Sequence, residues 1–477
     1  MLFCVYIKRK NGKSIAISYD CRNKSKEFAE LVACICASNN IKAYLVKCMM
    51  PTPFLSYLVR YYNTDMGVMI TASHNPKEYN GYKAYDEEGC QLLEAPSLEI
   101  MNISKQLDFF DLESYNMQEF IDTEKIIYTD DVVLNAYKTE VTKLLKHKIE
   151  NVKVVYSALN GTGIKTLPDV LESCGAEIIL NEIQCKEDKN FTTCPSPNPE
   201  KTELYSTSLP IAKQHKADII ILTDPDADRI GIEVLHNGEY IHLTGNEIGI
   251  VLTDYIMKTR YVKNGLVIKS IVSTNLVKKI AEAHGCICKD VFTGFKYDGE
   301  IITQLQKQGR EHEFMFAFEE SYGYLIGTHV RDKDATVTAM VIAEMVSEYK
   351  KAHKTVVDRL NELYAEFGTF EHSVHYYKMF GETGAKKMSK ILNEFRTSPA
   401  QKIGLLKVEK ITDYLNGIDD LPKSNVLSFD LEDGAQVIVR PSGTEPLIKV
   451  YVTLSQTKEK NEENLKEILK YLDNIMK

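Results

Sequence analysis

The stretch VKVVYSALNGTGIKTLPDVLESCGAEIIL, residues 152–180, contains the pattern that decides the fold. An apolar run is followed by a short loop, a helical pattern and a second apolar run, which predicts strand, helix and strand. The same order of elements recurs in residues 14–46 and in residues 265–288. Because strands that alternate with helices form parallel sheets, these three blocks predict an α/β protein.

The first of these blocks, residues 14–46, gives the most detailed local prediction. Residues 14–19 are expected to form a strand, and Ser25 is expected to cap the helix that follows. Apolar residues at helical spacing are expected to share one face of this helix: Phe28, Leu31, Val32 and Ile35. The next strand is expected to begin in residues 43–46.

The C-terminal part of the chain has a different pattern. The stretch NVLSFDLEDGAQVIVRPSGTEPLIKVYVTL, residues 425–454, alternates as antiparallel strands do. An amphipathic helix that packs on them is predicted from Leu465, Ile468, Leu469, Leu472 and Ile475. We therefore expect an α/β fold with three similar α/β domains that have mixed sheets, followed by a smaller C-terminal α+β domain. The predicted domain bounds are residues 1–150, 151–258, 259–371 and 372–477.

Composition excludes several classes of protein. The chain has 477 residues, of which 44% are apolar and 26% charged, and its apolar runs are much shorter than the roughly 20 residues of a membrane helix. The formal net charge of −9 argues against a nucleic-acid-binding surface. The positive charges of residues 8–10 follow a short apolar stretch, the reverse of a secretory signal. An odd count of 11 cysteines without a CxxC pair indicates free thiols and the cytoplasm.

The stretch ADIIILTDPDADRIGIEV, residues 217–234, is a candidate metal site. Asp224, Asp226 and Asp228 alternate along the chain, so in an extended loop their carboxylates can turn to one point. Like charges so close repel unless a cation lies among them, and oxygen ligands select a hard ion such as Mg²⁺. Arg229 occupies the place of the glycine that a calcium-binding EF-hand loop requires. A charged turn that closes a hairpin is the alternative.

Other loops also place polar residues directly after apolar runs. In GVMITASHNP, residues 67–76, a short predicted strand ends before Ser73 and His74, and open α/β sheets place their chemistry at such strand ends. In FAFEESYGYLIGTHVRDKDA, residues 316–335, an apolar run ends at the sequence EES. The stretch VRPSGTEPLIKVY, residues 439–451, brings an arginine into a Ser-Gly-Thr turn, which suits either a phosphate cradle or an ordinary turn.

Together these loops resemble the four signature loops of the α-D-phosphohexomutase family, in the same order and over the chain from about residue 14 to the end. The matching segments are TASHNP (71–76), DPDADR (224–229), EES (319–321) and RPSGT (440–444). The resemblance implies a heart-shaped molecule of four domains, each giving one loop to a central cleft. Three further segments resemble the branch with bacterial phosphoglucomutases and animal phosphopentomutase-like enzymes: LTGNEIG (243–249), TGFK (293–296) and GTHVRDKDA (327–335).

The resemblance also implies a role for each matching residue. Ser73 is implied to carry a phosphoryl group, and Mg²⁺ is implied to bind Asp224, Asp226 and Asp228 together with an oxygen of phosphorylated Ser73. Glu319 and Ser321 are implied to contact sugar hydroxyls. The implied phosphate or substrate contacts are Arg22, Lys296, Arg440, Ser442, Gly443 and Thr444, and Arg229 is implied to contact phosphate or its loop neighbours. His74, Lys83 and Lys333 are alternative candidates for the general base.

The expected reaction is the interconversion of glucose 1-phosphate and glucose 6-phosphate through a phosphoserine and a glucose 1,6-bisphosphate intermediate. The expected partner is a small phosphosugar, with no nucleic acid or membrane, and the expected assembly is a monomer or dimer. A phosphopentomutase, a phosphomannomutase and a metal-dependent phosphatase are alternatives. Another is a catalytically impaired relative, because the TAGLRG-like segment of this branch is absent from the sequence and Asn160 replaces its usual histidine.

Overall fold

The computed structural model describes residues 1–105, 114–418, 421–442 and 446–476. The chain divides into two compact units. The first unit comprises Met1–Ser273 and Ala281–Leu360, and the second comprises Thr274–Ile280 and Asn361–Lys477.

The N-terminal sheet of the first unit has strand order β4-β3-β1-β2-β5. Its strands are β1 (Ser14–Tyr19), β2 (Lys42–Leu45), β3 (Gly67–Ile70), β4 (Tyr82–Tyr85) and β5 (Ile126–Tyr128). The accompanying helices are α1 (Leu2–Arg9), α2 (Ser25–Ser38), α3 (Thr52–Tyr62), α4 (Glu94–Ser104), α5 (Met117–Asp122) and α6 (Asp131–Thr142). Only β4 is antiparallel to its neighbour among the described strands of this sheet, so the sheet is mixed.

The next sheet has strand order β10-β9-β8-β6-β7. Its strands are β6 (Lys153–Ser157), β7 (Glu177–Leu180), β8 (Ile219–Thr223), β9 (Ile230–His236) and β10 (Glu239–Leu243). Its helices are α7 (Leu167–Cys174), α8 (Leu209–His215) and α9 (Gly245–Thr259). The strands β6, β7 and β8 are parallel, whereas β9 and β10 are added as antiparallel hairpins.

The third sheet has strand order β12-β11-β13-β14 and is also mixed. Its strands are β11 (Leu266–Ser270), β12 (Ile287–Val291), β13 (Phe314–Glu319) and β14 (Gly323–Ile326). The helices of this region are α10 (Leu276–Ala283), α11 (Lys296–Lys307), α12 (Ala335–Lys351) and α13 (Val356–Phe367). The prediction of three α/β blocks with mixed sheets is therefore confirmed.

The second unit contains an antiparallel sheet with strand order β15-β20-β19-β18-β17-β16. Its strands are β15 (Glu371–Lys378), β16 (Lys402–Ile403), β17 (Leu406–Asp413), β18 (Leu427–Leu431), β19 (Gln436–Pro441) and β20 (Leu447–Leu454). Its helices are α14 (Gly381–Thr397) and α15 (Lys458–Met476). Ile468 and Leu472 of α15 are buried in one core with the sheet, as the amphipathic pattern predicted.

Helix α2 differs from the sequence prediction in two ways. Ser25 is the first helical residue and caps nothing, because Lys24 precedes it in the left-handed region with a φ of 68° and the serine hydroxyl donates to Asp20 instead. The predicted apolar residues do line one groove, but Phe28 and Leu31 are 45% and 48% exposed. The buried positions of α2 are mainly small residues: Ser25, Ala29, Ala33, Cys34, Cys36 and Ala37.

Two further observations concern the whole described chain. The cysteines are free thiols, and most of them are buried. Within the described ranges, every helix is either too short or too polar to pass through a membrane.

Candidate active site

The aspartate loop of residues 224–229 begins where the buried central strand β8 ends. Asp224, Asp226 and Asp228 are buried, and each offers a carboxylate oxygen that lies within 4.8 Å of the others. Ala227 has a φ of 51°, so the chain turns sharply between the second and third aspartates. The extended strand end and this turn together bring the three carboxylates to one point, as the alternating pattern predicted.

The positive charges around the aspartate loop come from two lysines and one arginine. Lys83 Nζ on β4 lies 2.8 Å from Asp226 Oδ2 and 3.2 Å from Asp228 Oδ2. Lys333 Nζ lies 3.3 Å from the same oxygen of Asp228, and Arg229 Nε lies 3.9 Å from its other oxygen. These cations offset part of the repulsion between the buried carboxylates.

The carboxylate oxygens Oδ1 of Asp226 and Asp228 are buried without a hydrogen-bond partner. Leaving a buried charged oxygen unpaired costs free energy, so such oxygens are rare unless a ligand satisfies them. Burial and the two neighbouring carboxylates raise the pKa of Asp224. Burial also acts to raise the pKa of Asp228, but Lys333, Lys83 and Arg229 hold it below its usual range. An all-oxygen donor set with unpaired carboxylate oxygens fits a hard divalent cation such as Mg²⁺.

The serine loop, residues 71–81, follows strand β3 and contacts the aspartate loop. Ser73 has a φ of 51°, and its hydroxyl donates to Asp224 Oδ2 at 2.9 Å. Its backbone N–H donates to the hydroxyl of Thr71 at 2.8 Å, and Thr71 in turn donates to Asp20 at 2.7 Å. A left-handed φ is strained for a residue other than glycine, so these contacts must hold Ser73 in place.

Arg22 holds the serine loop through hydrogen bonds to its backbone carbonyl groups. Its guanidinium is buried, and Nε donates to Asp20 at 3.0 Å. The remaining donors reach backbone carbonyl oxygens of Ser73 (2.5 Å), Asn75 (2.6 Å), Pro76 (2.8 Å) and Tyr79 (3.0 Å). A guanidinium has five N–H donors, and all five are used here. In this structure the arginine supports the loop that carries Ser73, and its predicted contact with substrate stays a prediction.

The three candidates for the general base differ in protonation. Burial and then the nearby Arg229 lower the pKa of His74 to about 3, so its ring is neutral near pH 7. His74 Nδ1 lies 3.2 Å from the hydroxyl of Ser73. Burial acts to lower the pKa values of Lys83 and Lys333, but the adjacent aspartates outweigh it and raise both. In this arrangement the lysines are cationic, and the neutral ring of His74 lies beside the serine hydroxyl.

The predicted sugar loop, the EES motif of residues 319–321, begins at the end of strand β13. Glu319 Oε1 accepts a hydrogen bond from the backbone N–H of Gly294 at 2.6 Å. Glu320 Oε2 accepts from the hydroxyls of Ser270 (2.8 Å) and Ser273 (3.2 Å), so this carboxylate is held within the third sheet. Ser321 is half-buried. Of the three residues in the EES motif, the middle one is thus committed to contacts inside the protein.

The residues 294–296 form a turn that meets two parts of the site. Gly294 contacts Glu319, as described above, and the ring of Phe295 lies 5.3 Å from Lys333 Nζ. Lys296 begins helix α11, and its ammonium forms an ion pair with Glu94 of α4 at 2.7 Å. The turn therefore contacts Glu319 of the sugar loop and Lys333 beside the aspartates, and its last residue pairs with Glu94 of the N-terminal region.

The predicted phosphate loop lies in the second compact unit. Strand β19 includes Arg440, and the backbone N–H of Ser442 donates to the carbonyl of Leu447 at 2.9 Å. Gly443 and Thr444 lie outside the described residues.

Sequence analysis missed Thr52, whose backbone N–H and hydroxyl both contact the aspartate loop. The N–H donates to the carbonyl of Asp226 at 2.8 Å, and the hydroxyl donates to Asp226 Oδ2 at 2.7 Å. Thr52 is the first residue of α3 and follows strand β2, with Pro51 before it. A proline and a threonine at a strand-to-helix junction are a signal for such a position, because helix N-termini favour contacts with anions.

Asn160 and Thr162 lie in a loop that supports the aspartate loop. Thr162 donates through its N–H and its hydroxyl to the carbonyl of Pro225, at 2.8 and 2.9 Å. A Cβ atom on Gly161 would lie 2.4 Å from the Cα of Pro225, so only glycine fits at this close approach. The amide of Asn160 donates to the carbonyls of Ile183 and Lys186, so this residue contributes to loop structure.

A serine hydroxyl beside a buried carboxylate cluster is an arrangement that suits phosphoryl transfer. The matching family descriptions are Phosphoglucomutase/phosphomannomutase alpha/beta/alpha domain I (residues 1–111), domain II (128–237), domain III (244–367) and the C-terminal domain (394–470). The chain belongs to the phosphoglucomutase/phosphomannomutase family. It is an intramolecular phosphotransferase that acts on small phosphosugars.

Individual relatives agree with this assignment. The phosphoglucomutase of Staphylococcus aureus (strain MRSA252) is 38% identical over 464 residues, which cover 93% of this chain and 82% of that protein. The phosphoglucomutase of Staphylococcus haemolyticus is 37% identical over 467 residues, covering 94% and 84% of the two chains. A solved phosphoglucomutase/phosphomannomutase family protein from Burkholderia thailandensis has a TM-score of 0.75 at 16% identity, with 99% and 92% coverage, and supports the fold.

Proposed function

We propose that this protein interconverts glucose 1-phosphate and glucose 6-phosphate, with Ser73 as the phosphoryl carrier and Mg²⁺ as cofactor. The observation that carries the proposal is the 2.9 Å contact between the hydroxyl of Ser73 and Asp224, within a cluster that has two unpaired carboxylate oxygens. Phosphoryl transfer depends chiefly on positioning and on charge neutralisation. A carrier hydroxyl next to a cation site supplies both.

The choice of glucose rests on the relatives. The two staphylococcal proteins are named phosphoglucomutase, and the aligned segments cover most of this chain. In the proposed reaction the phosphoryl group moves from Ser73 Oγ to the 6-hydroxyl of glucose 1-phosphate, and a base takes the hydroxyl proton. The resulting glucose 1,6-bisphosphate then returns its 1-phosphoryl group to Ser73 Oγ, which leaves glucose 6-phosphate.

The aspartates would hold the magnesium ion. Asp224, Asp226 and Asp228 would be its ligands, and when bound it would neutralise negative charge on the phosphoryl group that is transferred. Lys83 and Lys333 lie on the Oδ2 side of Asp228, and its Oδ1 oxygen, which has no hydrogen-bond partner, would face the ion. Arg22 and Thr71 would keep Ser73 aimed at this point. His74, the neutral group beside the serine, is our candidate for the base that serves the Ser73 hydroxyl.

The remaining predicted residues would bind the substrate. Glu319 and Ser321 would contact sugar hydroxyls, and Lys296 would contact a phosphate. Arg440, Ser442, Gly443 and Thr444 would hold a phosphate group, since guanidinium and hydroxyl groups suit a phosphate dianion. The predicted domain bounds at residues 150, 258 and 371 would give each of these loops to a separate domain.

A coupled assay tests the proposal directly. Glucose 6-phosphate formation is followed with Mg²⁺, glucose 1-phosphate and a trace of glucose 1,6-bisphosphate, for the wild type, Ser73→Ala and the surface control Ser206→Ala. We expect turnover in the wild type and the control, and its loss in Ser73→Ala. Equal turnover in all three proteins would contradict the proposal. Release of free phosphate without glucose 6-phosphate would indicate a phosphatase, and turnover with only mannose or pentose phosphates would change the substrate.

A further inference from the structure

We propose that Glu94 is a built-in competitor of the substrate phosphate, which holds Lys296 until a phosphosugar displaces it. This inference rests on the proposed function, because it concerns the same binding site. Its basis is a contact that joins two helices from distant parts of the chain. Glu94 is the first residue of α4, and Lys296 is the first residue of α11.

The contact is specific in its geometry. Glu94 Oε1 lies 2.7 Å from Lys296 Nζ and accepts a second hydrogen bond from the hydroxyl of Tyr297, also at 2.7 Å. The ammonium of Lys296 additionally lies 5.2 Å from the ring centroid of Tyr297. One carboxylate oxygen is thus held by two neighbouring side chains of α11, whereas a surface ion pair formed by chance has one such partner.

The position of Lys296 is the reason that its contact with Glu94 would affect substrate binding. The two residues before it, Gly294 and Phe295, contact Glu319 of the sugar loop and Lys333 beside the aspartate cluster. A lysine that follows such a turn is placed to receive an anionic group of a bound phosphosugar. A phosphate dianion carries more charge than a carboxylate and offers three oxygen acceptors, so it is a stronger partner for an ammonium group.

The exposure of the pair allows the exchange. The side chain of Glu94 is 55% exposed and that of Lys296 is 25% exposed, so water reaches the contact. Ion pairs in such surroundings are weak and can be displaced by a better ligand. The carboxylate therefore lowers phosphate affinity without preventing binding.

Two variants test the competition. Glu94→Gln keeps the shape of the side chain and removes its charge, so the KM for glucose 1-phosphate is expected to fall by about two- to fivefold, the factor expected for losing a weak exposed ion pair. The kcat is expected to change little. In a Lys296→Met background, the same substitution is expected to have no effect, because the competed group is gone. Glu382→Gln, which breaks an exposed lysine pair of the same 2.7 Å length on α14, is the matched control.

Equilibrium dialysis of inorganic phosphate separates this proposal from the mutase proposal. We expect tighter phosphate binding in Glu94→Gln than in the wild type, and no such gain in the Lys296→Met background. Unchanged or weaker phosphate binding in Glu94→Gln would overturn the role of Glu94, as would an equal gain in both backgrounds. Tighter phosphate binding in a protein without any mutase turnover would overturn the proposed function and leave this inference standing.

Discussion

The serine loop and the aspartate loop differ in how completely their polar groups are satisfied. The carbonyl groups of the serine loop accept hydrogen bonds from Arg22, whose five N–H donors are all used. In the aspartate loop, one oxygen of Asp226 and one of Asp228 are buried without a hydrogen-bond partner. Satisfied polar groups fix a conformation, whereas unsatisfied ones are prepared for a ligand. The difference predicts that the serine loop positions the reacting group and that the aspartate loop binds a ligand.

The largest expected effect comes from removing the support of the serine loop. Arg22→Met would leave Asp20 buried without its cation and would remove a donor from four carbonyl groups, of which that of Pro76 keeps the N–H of Tyr79. Loss of one partner of a buried ion pair costs about 3–5 kcal/mol of the free energy of unfolding, which urea titration would measure. Arg22→Lys retains the charge but not the five donors, so it is expected to lose less stability while still lowering kcat. If Arg22→Met unfolds at the wild-type urea concentration, the arginine does not support the loop.

The next largest effect is expected in the aspartate loop. Asp228→Asn removes the carboxylate charge of Asp228. One of its oxygens lies near Lys83 and Lys333, and the other is buried without a hydrogen-bond partner. We expect kcat to fall by about 10²–10³-fold, the range for losing a preorganised charge at a reacting group. Because the amide is nearly isosteric, the fold should survive, and circular dichroism would verify this. Activity within a factor of two of the wild type would remove Asp228 from the site.

Metal binding should be measurable without catalysis. A ligand that binds only the folded protein raises its unfolding free energy by about 2.7 kcal/mol when its concentration is 100 times its Kd. We expect Mg²⁺ to raise the melting temperature of the wild type and to have little effect on the double variant Asp226→Asn, Asp228→Asn. Equal shifts in both proteins would place the ion elsewhere.

The smallest of these effects is expected at Thr52, which contacts the aspartate loop. Thr52→Val keeps the volume and the N–H contact with Asp226 but removes the hydroxyl that donates to Asp226 Oδ2. Groups that orient a metal ligand typically contribute about 10–100-fold to metal affinity or activity. We expect the concentration of Mg²⁺ for half-maximal activity to rise within this range while KM for the sugar stays constant. An unchanged magnesium requirement would make Thr52 merely a helix-terminal residue.

The sequence was sufficient to predict the loops because each is the polar end of an apolar strand. Ser73, Asp224 and Glu319 follow or end β3, β8 and β13, and these boundaries are visible in hydrophobicity alone. The antiparallel strands predicted from the alternating pattern of residues 425–454 are likewise present as β18, β19 and β20. The expected roles of Gly443 and Thr444, and the predicted domain bounds, stay predictions.

The supporting contacts could not be predicted in the same way. Arg22 binds backbone carbonyls of residues 51 to 57 positions away, and a backbone acceptor has no side-chain signature in a sequence. Helix α2 shows the same limit, since Ala29 and Ala33 face the interior while Phe28 and Leu31 are exposed. Small residues permit close packing of a helix on a sheet, and a hydrophobicity pattern gives them less weight than large ones.

The most direct test of the account is the intact mass of the protein after incubation with Mg²⁺ and glucose 1,6-bisphosphate. We expect a mass increase of one phosphoryl group in the wild type, located on Ser73 by fragmentation, and no increase in Ser73→Ala. Return of the label to the sugar on adding glucose 1-phosphate would show that the phosphoryl group is transferred. A wild-type mass that stays unchanged, or a phosphoryl group on another residue, would contradict the assignment of Ser73 as the carrier.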